Sequence, residues 1–207
     1  MCKNELLLCV LFIKKKKGMV LLARIWIDPG HGGTDSGAKG KGLIEKALNL
    51  IVSLEVERLL KLNGQVVELT RRDDTFVDLN ERCKRANKWK ADLFISIHHN
   101  ACDGKAKGAE VINSIYHGKG EILAKIIAAK FQAVGQVVRR VFSKEGSSGG
   151  DYYCVIRETR MTAVITEFAF IDNSEDAKKV DTKAELMAEA RAIADGILTF
   201  IGVKMKG

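Results

Sequence analysis

Reactive side chains cluster where the sequence signals that strands end. Asp28-Pro29-Gly30-His31-Gly32-Gly33 follows one apolar run, and Ser96-Ile97-His98-His99-Asn100 closes another. Thr166-Glu167-Phe168 puts a carboxylate at the end of a third, and Glu45 opens an amphipathic segment just after the glycine loop. In open α/β sheets, ligands bind outside the carboxyl ends of the strands. If these runs are parallel neighbours, His31, His98 and Glu167 meet on one rim, with Glu45 overhanging it. Two imidazoles and one carboxylate can bind Zn²⁺ and leave a position for water, while a second carboxylate nearby serves as general base.

Taken singly, each feature has a plainer reading. A lone histidine is more often structural or exposed than a metal ligand. A glycine loop can cradle phosphate, but Gly30-His31-Gly32-Gly33-Thr34-Asp35-Ser36-Gly37 fits neither GxGxxG nor a Walker sequence. Its glycines at 30, 32 and 33 are expected to let the backbone turn so that His31 projects inward. Glu167 is the more telling residue, because a carboxylate in an apolar strand must be paired or serve a site.

The elements that would position these groups alternate. Strands are expected over residues 24–28, 65–70, 92–98, 108–113, 152–157 and 163–169. Ile44, Leu48, Ile51, Leu54 and Leu59 show helical spacing, and Gly64 is a natural stop. Asp78 and Glu81 have the form of a capping box opening a helix to about Lys90, and further helices are expected over 119–136 and 182–201. A polar, glycine-rich loop is expected over 143–151. Such alternation predicts an α/β fold: a single layered domain with a twisted, mostly parallel central sheet flanked by helices.

The 207 residues suit one domain, and no Pro- or Ser-rich linker divides them. The net charge of +8 invites a nucleic-acid reading, yet Lys3 and Lys14 to Lys17, against Glu5, place half of it before Met19. The remaining body is mildly basic, which suits anionic polymers in general. It lacks aromatics interleaved with basic residues, so no nucleic-acid partner is expected. Five cysteines (Cys2, Cys9, Cys83, Cys102, Cys154) without a CxxC pair suggest folding in a reducing cytosol. The apolar run over residues 6–13 is too short to span a bilayer and lacks a cleavage site, so it makes a poor signal peptide. Residues 1–23 are expected to be a tail, disordered or reflecting a true start at Met19.

Four ordered blocks then make the chain recognisable: IWIDPGHGGTDSGAKGKGLIEKALNL, LTRRDDTFVDLNERCKRAN, DLFISIHHNA and AVITEFAFIDNSED. Over residues 24 to 201 they resemble the zinc-dependent N-acetylmuramoyl-L-alanine amidases of cell-wall autolysins and phage endolysins. The resemblance implies an amidase catalytic domain over residues 24–203, with zinc held by His31, Glu45 and His98 and with Glu167 as the catalytic glutamate. It implies hydrolysis of the amide between N-acetylmuramic acid and L-alanine of peptidoglycan. It makes Asn100, Tyr153 and Arg157 candidate substrate contacts, and Arg82 and Asn87 scaffold. His99, where relatives often have alanine, should point away from the metal because neighbouring strand residues face opposite sides. His117 is expected to be exposed, and Cys102 lacks a second cysteine for a metal role.

Some regulated relatives carry a helical plug after the third strand block. Residues 113–153 are expected to hold one helix and one loop, leaving the site open. The expected setting is a monomer made in the cytoplasm and acting on the cell wall without a membrane span, released by lysis or a holin or secreted by another route, with peptidoglycan and anionic wall polymers as partners. Three other readings stand beside this one: a zinc peptidase of soluble peptides, a non-catalytic wall-binding module, and a nucleic-acid binder.

Overall fold

The computed structural model describes residues 22–206. The tail expected over residues 1–23 therefore lies outside the described residues except for Leu22 and Ala23, as do Cys2 and Cys9. The Ala23 amide donates to Gln65 Oε1 at 3.0 Å, next to the first strand.

In chain order the elements are β1 (Arg24–Pro29), β2 (Lys39–Gly40), β3 (Leu43–Ile44), α1 (Glu45–Leu62), β4 (Val66–Leu69), α2 (Leu79–Trp89) and β5 (Leu93–Asn100). There follow β6 (Ala109–Ile112), α3 (Lys119–Ala133), β7 (Val138–Phe142), α4 (Cys154–Arg157), β8 (Thr162–Phe170), α5 (Ser174–Ala177) and α6 (Lys183–Phe200). Six strands form one sheet in the order β4-β1-β5-β8-β6-β7. All neighbours run parallel except β6 and β8, which are antiparallel.

Alternation along the strands sorts side chains between two layers. Ile25 and Ile27 of β1 and Leu93, Ile95 and Ile97 of β5 join α1, α3 and α6 in the larger core. Trp26, Phe94, Ala163 and Ile165 face the other way, against Cys83 and Ala86 of α2 and Val155 and Ile156 of α4. Asp28, Ser96, His98 and Glu167 continue that second face past the end of the apolar residues. The same period that buries the core thus brings the polar groups together.

The helix signals mostly hold. α1 forms where the spacing put it and Gly64, at φ +79°, ends it, but its buried face is Leu48, Val52, Val56, Leu59 and Leu60, with Ile44, Ile51 and Leu54 exposed. Asp78 caps α2 by accepting from the amides of Asn80 and Glu81, but the expected box is incomplete, because Glu81 accepts from Arg85 Nε at 2.7 Å instead. A full capping box occurs at Thr182 and Glu185, opening α6.

Two expectations need correction. Residues 152–157, expected as a strand from Tyr-Tyr-Cys-Val-Ile, form a turn and the short helix α4; the amides of Ile156 and Arg157 bond back to the Tyr153 carbonyl. Docking Val155 and Ile156 against α2 outweighs their strand propensity. Residues 113–153 hold a strand, β7, besides α3 and the loop. Its Val-Arg-Arg-Val-Phe pattern is that of a half-exposed edge strand, with no clean alternation to announce it. Among the described residues no helix is long and apolar enough to cross a membrane.

Candidate active site

β1, β5 and β8 are adjacent and parallel, so their carboxyl ends form one rim. His98 and Glu167 are register partners on it. β1 runs into the glycine loop, where His31 has φ +58°, Gly32 +132° and Gly33 +55°. Two buried arginines clamp this loop. Arg82 donates to the carbonyls of Val77, Pro29 and His31 at 2.8–2.9 Å and to Asp28 Oδ1 at 2.8 Å. Arg71 donates to the carbonyls of Pro29, Gly30, Asp73 and Lys46 at 2.8–3.1 Å. Ser96 Oγ donates to Asp28 Oδ2 at 2.7 Å. Burial alone would raise the Asp28 carboxyl, but Arg82 and Ser96 hold it below its ordinary value.

Glu45, in the first turn of α1, is the hub. Its Oε2 lies 3.1 Å from His31 Nε2 and its Oε1 lies 2.9 Å from His98 Nδ1. Ligand atoms from the three residues all fall within 4.8 Å of one another, so they could hold a metal ion. Glu45 also accepts from the amides of Ala38 (2.7 Å) and His99 (3.2 Å) and from Asn49 Nδ2 (3.3 Å). Burial opposes its charge, yet the two histidines keep its carboxyl well below the usual range. His31 Nδ1 lies 2.8 Å from Asp35 Oδ2, which orients the ring and leaves Nε2 for the metal side. Desolvation pulls the His31 imidazole down, but the Glu45 and Asp35 carboxylates raise it on balance.

The glycines serve space as much as turning. A Cβ on Gly30 would lie 2.6 Å from His98 Nδ1 and closer still to Cε1 and Nε2, and one on Gly37 would press on Glu45 Oε2 and the His31 ring. Two imidazoles, one carboxylate and backbone kept bare around them make a donor set that fits zinc.

Glu167 faces the same space. Its Oε2 is shut off from solvent and has no hydrogen-bond partner among the described residues. Desolvation, then the neighbouring charges of Glu45 and Glu110, push its carboxyl well above the usual value. A cavity of about 420 Å³ opens over His31, His98 and Glu167, walled by Phe76, Leu79, Tyr153 and Val155.

His99 points to the opposite face as expected, fully buried with Nδ1 2.8 Å from Asn49 Oδ1 and Nε2 3.0 Å from Glu189 Oε2. Of the three candidate substrate contacts, Tyr153 lines the 420 Å³ cavity and Asn100 lies in an adjoining one. Arg157 lies outside both; it donates to the carbonyls of Asp151 and Tyr152 at 2.9 and 3.0 Å. Asn87 ties α2 to the segment before β8, bonding the Glu158 carbonyl and the Arg160 amide. His117 is exposed, 3.4 Å from Glu121, and Cys102 is an exposed free thiol. Asp35, Asn49 and Glu110 were not singled out in the sequence. Asp35 and Asn49 had local signals, four residues from His31 and from Glu45 respectively, whereas Glu110 acts through tertiary contacts.

A family model described as N-acetylmuramoyl-L-alanine amidase matches residues 25–199. The sporulation-specific N-acetylmuramoyl-L-alanine amidase of Bacillus subtilis (strain 168) is 35% identical over 178 residues, 85% of this chain and 67% of that protein. The endolysin of Bacillus phage SPP1 is 34% identical over 183 residues, 88% of this chain and 67% of its own. Among solved structures, the catalytic domain of CwlV, an N-acetylmuramoyl-L-alanine amidase from Bacillus (Paenibacillus) polymyxa var. colistinus, superposes with a TM-score of 0.80 at 34% identity. That match covers 88% of this chain and 100% of the CwlV domain.

Proposed function

Because this chain belongs to the N-acetylmuramoyl-L-alanine amidase family, we propose that it hydrolyses the amide joining the lactyl group of N-acetylmuramic acid to L-alanine in peptidoglycan, using zinc held by His31, Glu45 and His98. The observation that carries the reading is the convergence of those three ligand groups beside a desolvated, unpartnered Glu167. When bound, zinc would polarise the scissile carbonyl and make water a better nucleophile.

The chain's own residues supply the rest. Glu167 takes the proton of the attacking water and returns it to the departing nitrogen. An amine leaves poorly unless protonated, so both transfers are needed. A carboxyl held above its usual value by burial and by Glu45 and Glu110 keeps the returned proton available. Arg82 and Arg71 hold the loop that carries His31, so the ligand geometry is built before substrate arrives. Tyr153, which lines both cavities beside Glu167, and Asn100, which lines the adjoining one, contact the substrate in this reading. Arg157 acts on substrate indirectly, by fixing the loop that presents Tyr152 and Tyr153. The site of action is the cell wall, reached by release or export.

Purified sacculi discriminate between the readings. The proposal expects new amino termini that are L-alanine, with no new reducing sugar ends and no new termini elsewhere in the stem. Cleavage confined to free peptides would favour a soluble-peptide zinc peptidase. Binding to sacculi without cleavage would favour a wall-binding module.

A further inference from the structure

Beyond Glu167 lies a second cavity, of about 440 Å³, which shares only Glu167 and Tyr153 with the first. Its chemistry differs. The first is walled largely by apolar side chains, whereas the second is lined by Asn100, Glu110, Arg140, Ser143 and Lys144.

β6 and β7 build it. Glu110 stands opposite Glu167 in the antiparallel register of β6 and β8, and Arg140 is its partner on β7. The buried Glu110 carboxylate accepts from Arg140 Nε at 2.8 Å and from Arg139 Nη1 at 3.1 Å. The Arg140 guanidinium stacks 3.9 Å from the Phe142 ring, and Lys144 Nζ sits 3.7 Å from the Tyr152 ring. Among the described residues Lys144 has no carboxylate partner. The lining thus sets two cations, Arg140 and Lys144, against Glu110 and Glu167; Glu110 is engaged by Arg139 and Arg140, while the Lys144 ammonium stands free beside them. Both cations are held over aromatic rings with donors still exposed, which suits recognition of an oxyanion.

Direction follows from the proposed reaction, on which this inference rests. Glu167 hands its proton to the departing nitrogen, so the peptide side of the scissile bond passes Glu167 while the lactyl carbonyl faces His31 and His98. Opposed residues of an antiparallel pair stand about 5 Å apart, so the cations lie within one or two residues' reach of the leaving alanine. We propose that Arg140 and Lys144 form a carboxylate subsite for the leaving peptide, selecting stems with a free carboxylate on the residue after L-alanine over stems in which that group is a carboxamide.

The test compares kcat/KM on two synthetic disaccharide–pentapeptides that differ only there, D-isoglutamate against D-isoglutamine, at fixed ionic strength. Partly exposed charge-assisted contacts predict a wild-type preference of about three- to tenfold for the carboxylate. Arg140→Gln and Lys144→Gln should each shrink that ratio toward one. Arg139→Gln, which loses the same kind of contact to Glu110 without removing a cavity cation, should keep it; this separates the subsite from simple disturbance of Glu110. A wild-type ratio near one, or a preference that survives in both Arg140→Gln and Lys144→Gln, overturns the subsite. Failure to cleave sacculi and both fragments would instead overturn the hydrolysis reading.

Discussion

A methyl group added at Gly30 would strike the His98 imidazole, which supplies the three atoms nearest to it. Its Cβ would stand 2.6 Å from His98 Nδ1, where ordinary contact is about 3.5 Å, so the ring or the loop must shift by roughly 1 Å. Metal ligands tolerate displacements of about 0.2 Å, and His98 Nδ1 now lies 2.9 Å from Glu45 Oε1. Overpacking of this kind costs about 1–3 kcal/mol, or roughly 2–12 °C in Tm for a domain of this size. Disturbing the ligand should weaken zinc at least about 10- to 100-fold, the range seen when groups merely supporting a ligand are lost. The assay is competition with a chromophoric chelator, alongside calorimetry of the metal-free protein. Gly42→Ala supplies the contrast: Gly42 has φ +81° and open space around its Cβ position, so alanine there strains the backbone without touching the site. It should lose about 1 kcal/mol of stability and keep its zinc affinity. Zinc affinity in Gly30→Ala within twofold of wild type would refute the argument that bare backbone at residue 30 makes room for His98.

Other substitutions separate chemistry from scaffold. Glu167→Gln should bind zinc as wild type does and lose at least about 10²- to 10⁴-fold in kcat on sacculi, so retained turnover would remove Glu167 from the proton transfers. Asp28→Ala strands the Arg82 charge, 2.8 Å away and 3% exposed, and should cost about 3–5 kcal/mol in urea unfolding; a loss below about 1 kcal/mol would contradict a structural role for the pair. Because the folded Asp28 carboxyl lies below its ordinary 3.8, the unfolded chain binds the proton first, and the pair's contribution is present above that value and lost as pH falls through the lowered one. Acid unfolding below about pH 4 should therefore be steeper for wild type than for Asp28→Asn, and equal slopes would count against the linkage.

The parts of the site that were legible in the sequence share one property: local sequence determines them. His31 lies in a glycine loop after a strand, His98 and Glu167 close apolar runs, and period two set His98 and His99 on opposite faces, while the family resemblance chose His98 for the metal side. The fold class was legible for the same reason, since alternating runs of the two periods imply a layered α/β sheet. What escaped depends on partners distant in sequence. No feature of residues 109–112 tells that β6 runs against β8, yet that reversal is what sets Glu110 opposite Glu167. β7 and α4 were misread because one is an edge strand without alternation and the other a helix made of strand-forming residues. Gly30 was read as a turning residue, whereas its need is space for a ring 68 positions away.

In the proposed reaction His31, Glu45 and His98 hold one zinc required for release of L-alanine termini. The direct measurement adds zinc in steps to metal-stripped protein while L-alanine amino termini released from sacculi are counted. Activity should rise in proportion to zinc, break at about one equivalent per chain, and never rise in Glu45→Ala. Full activity in stripped protein, or zinc-dependent activity undiminished by Glu45→Ala, would contradict the proposal.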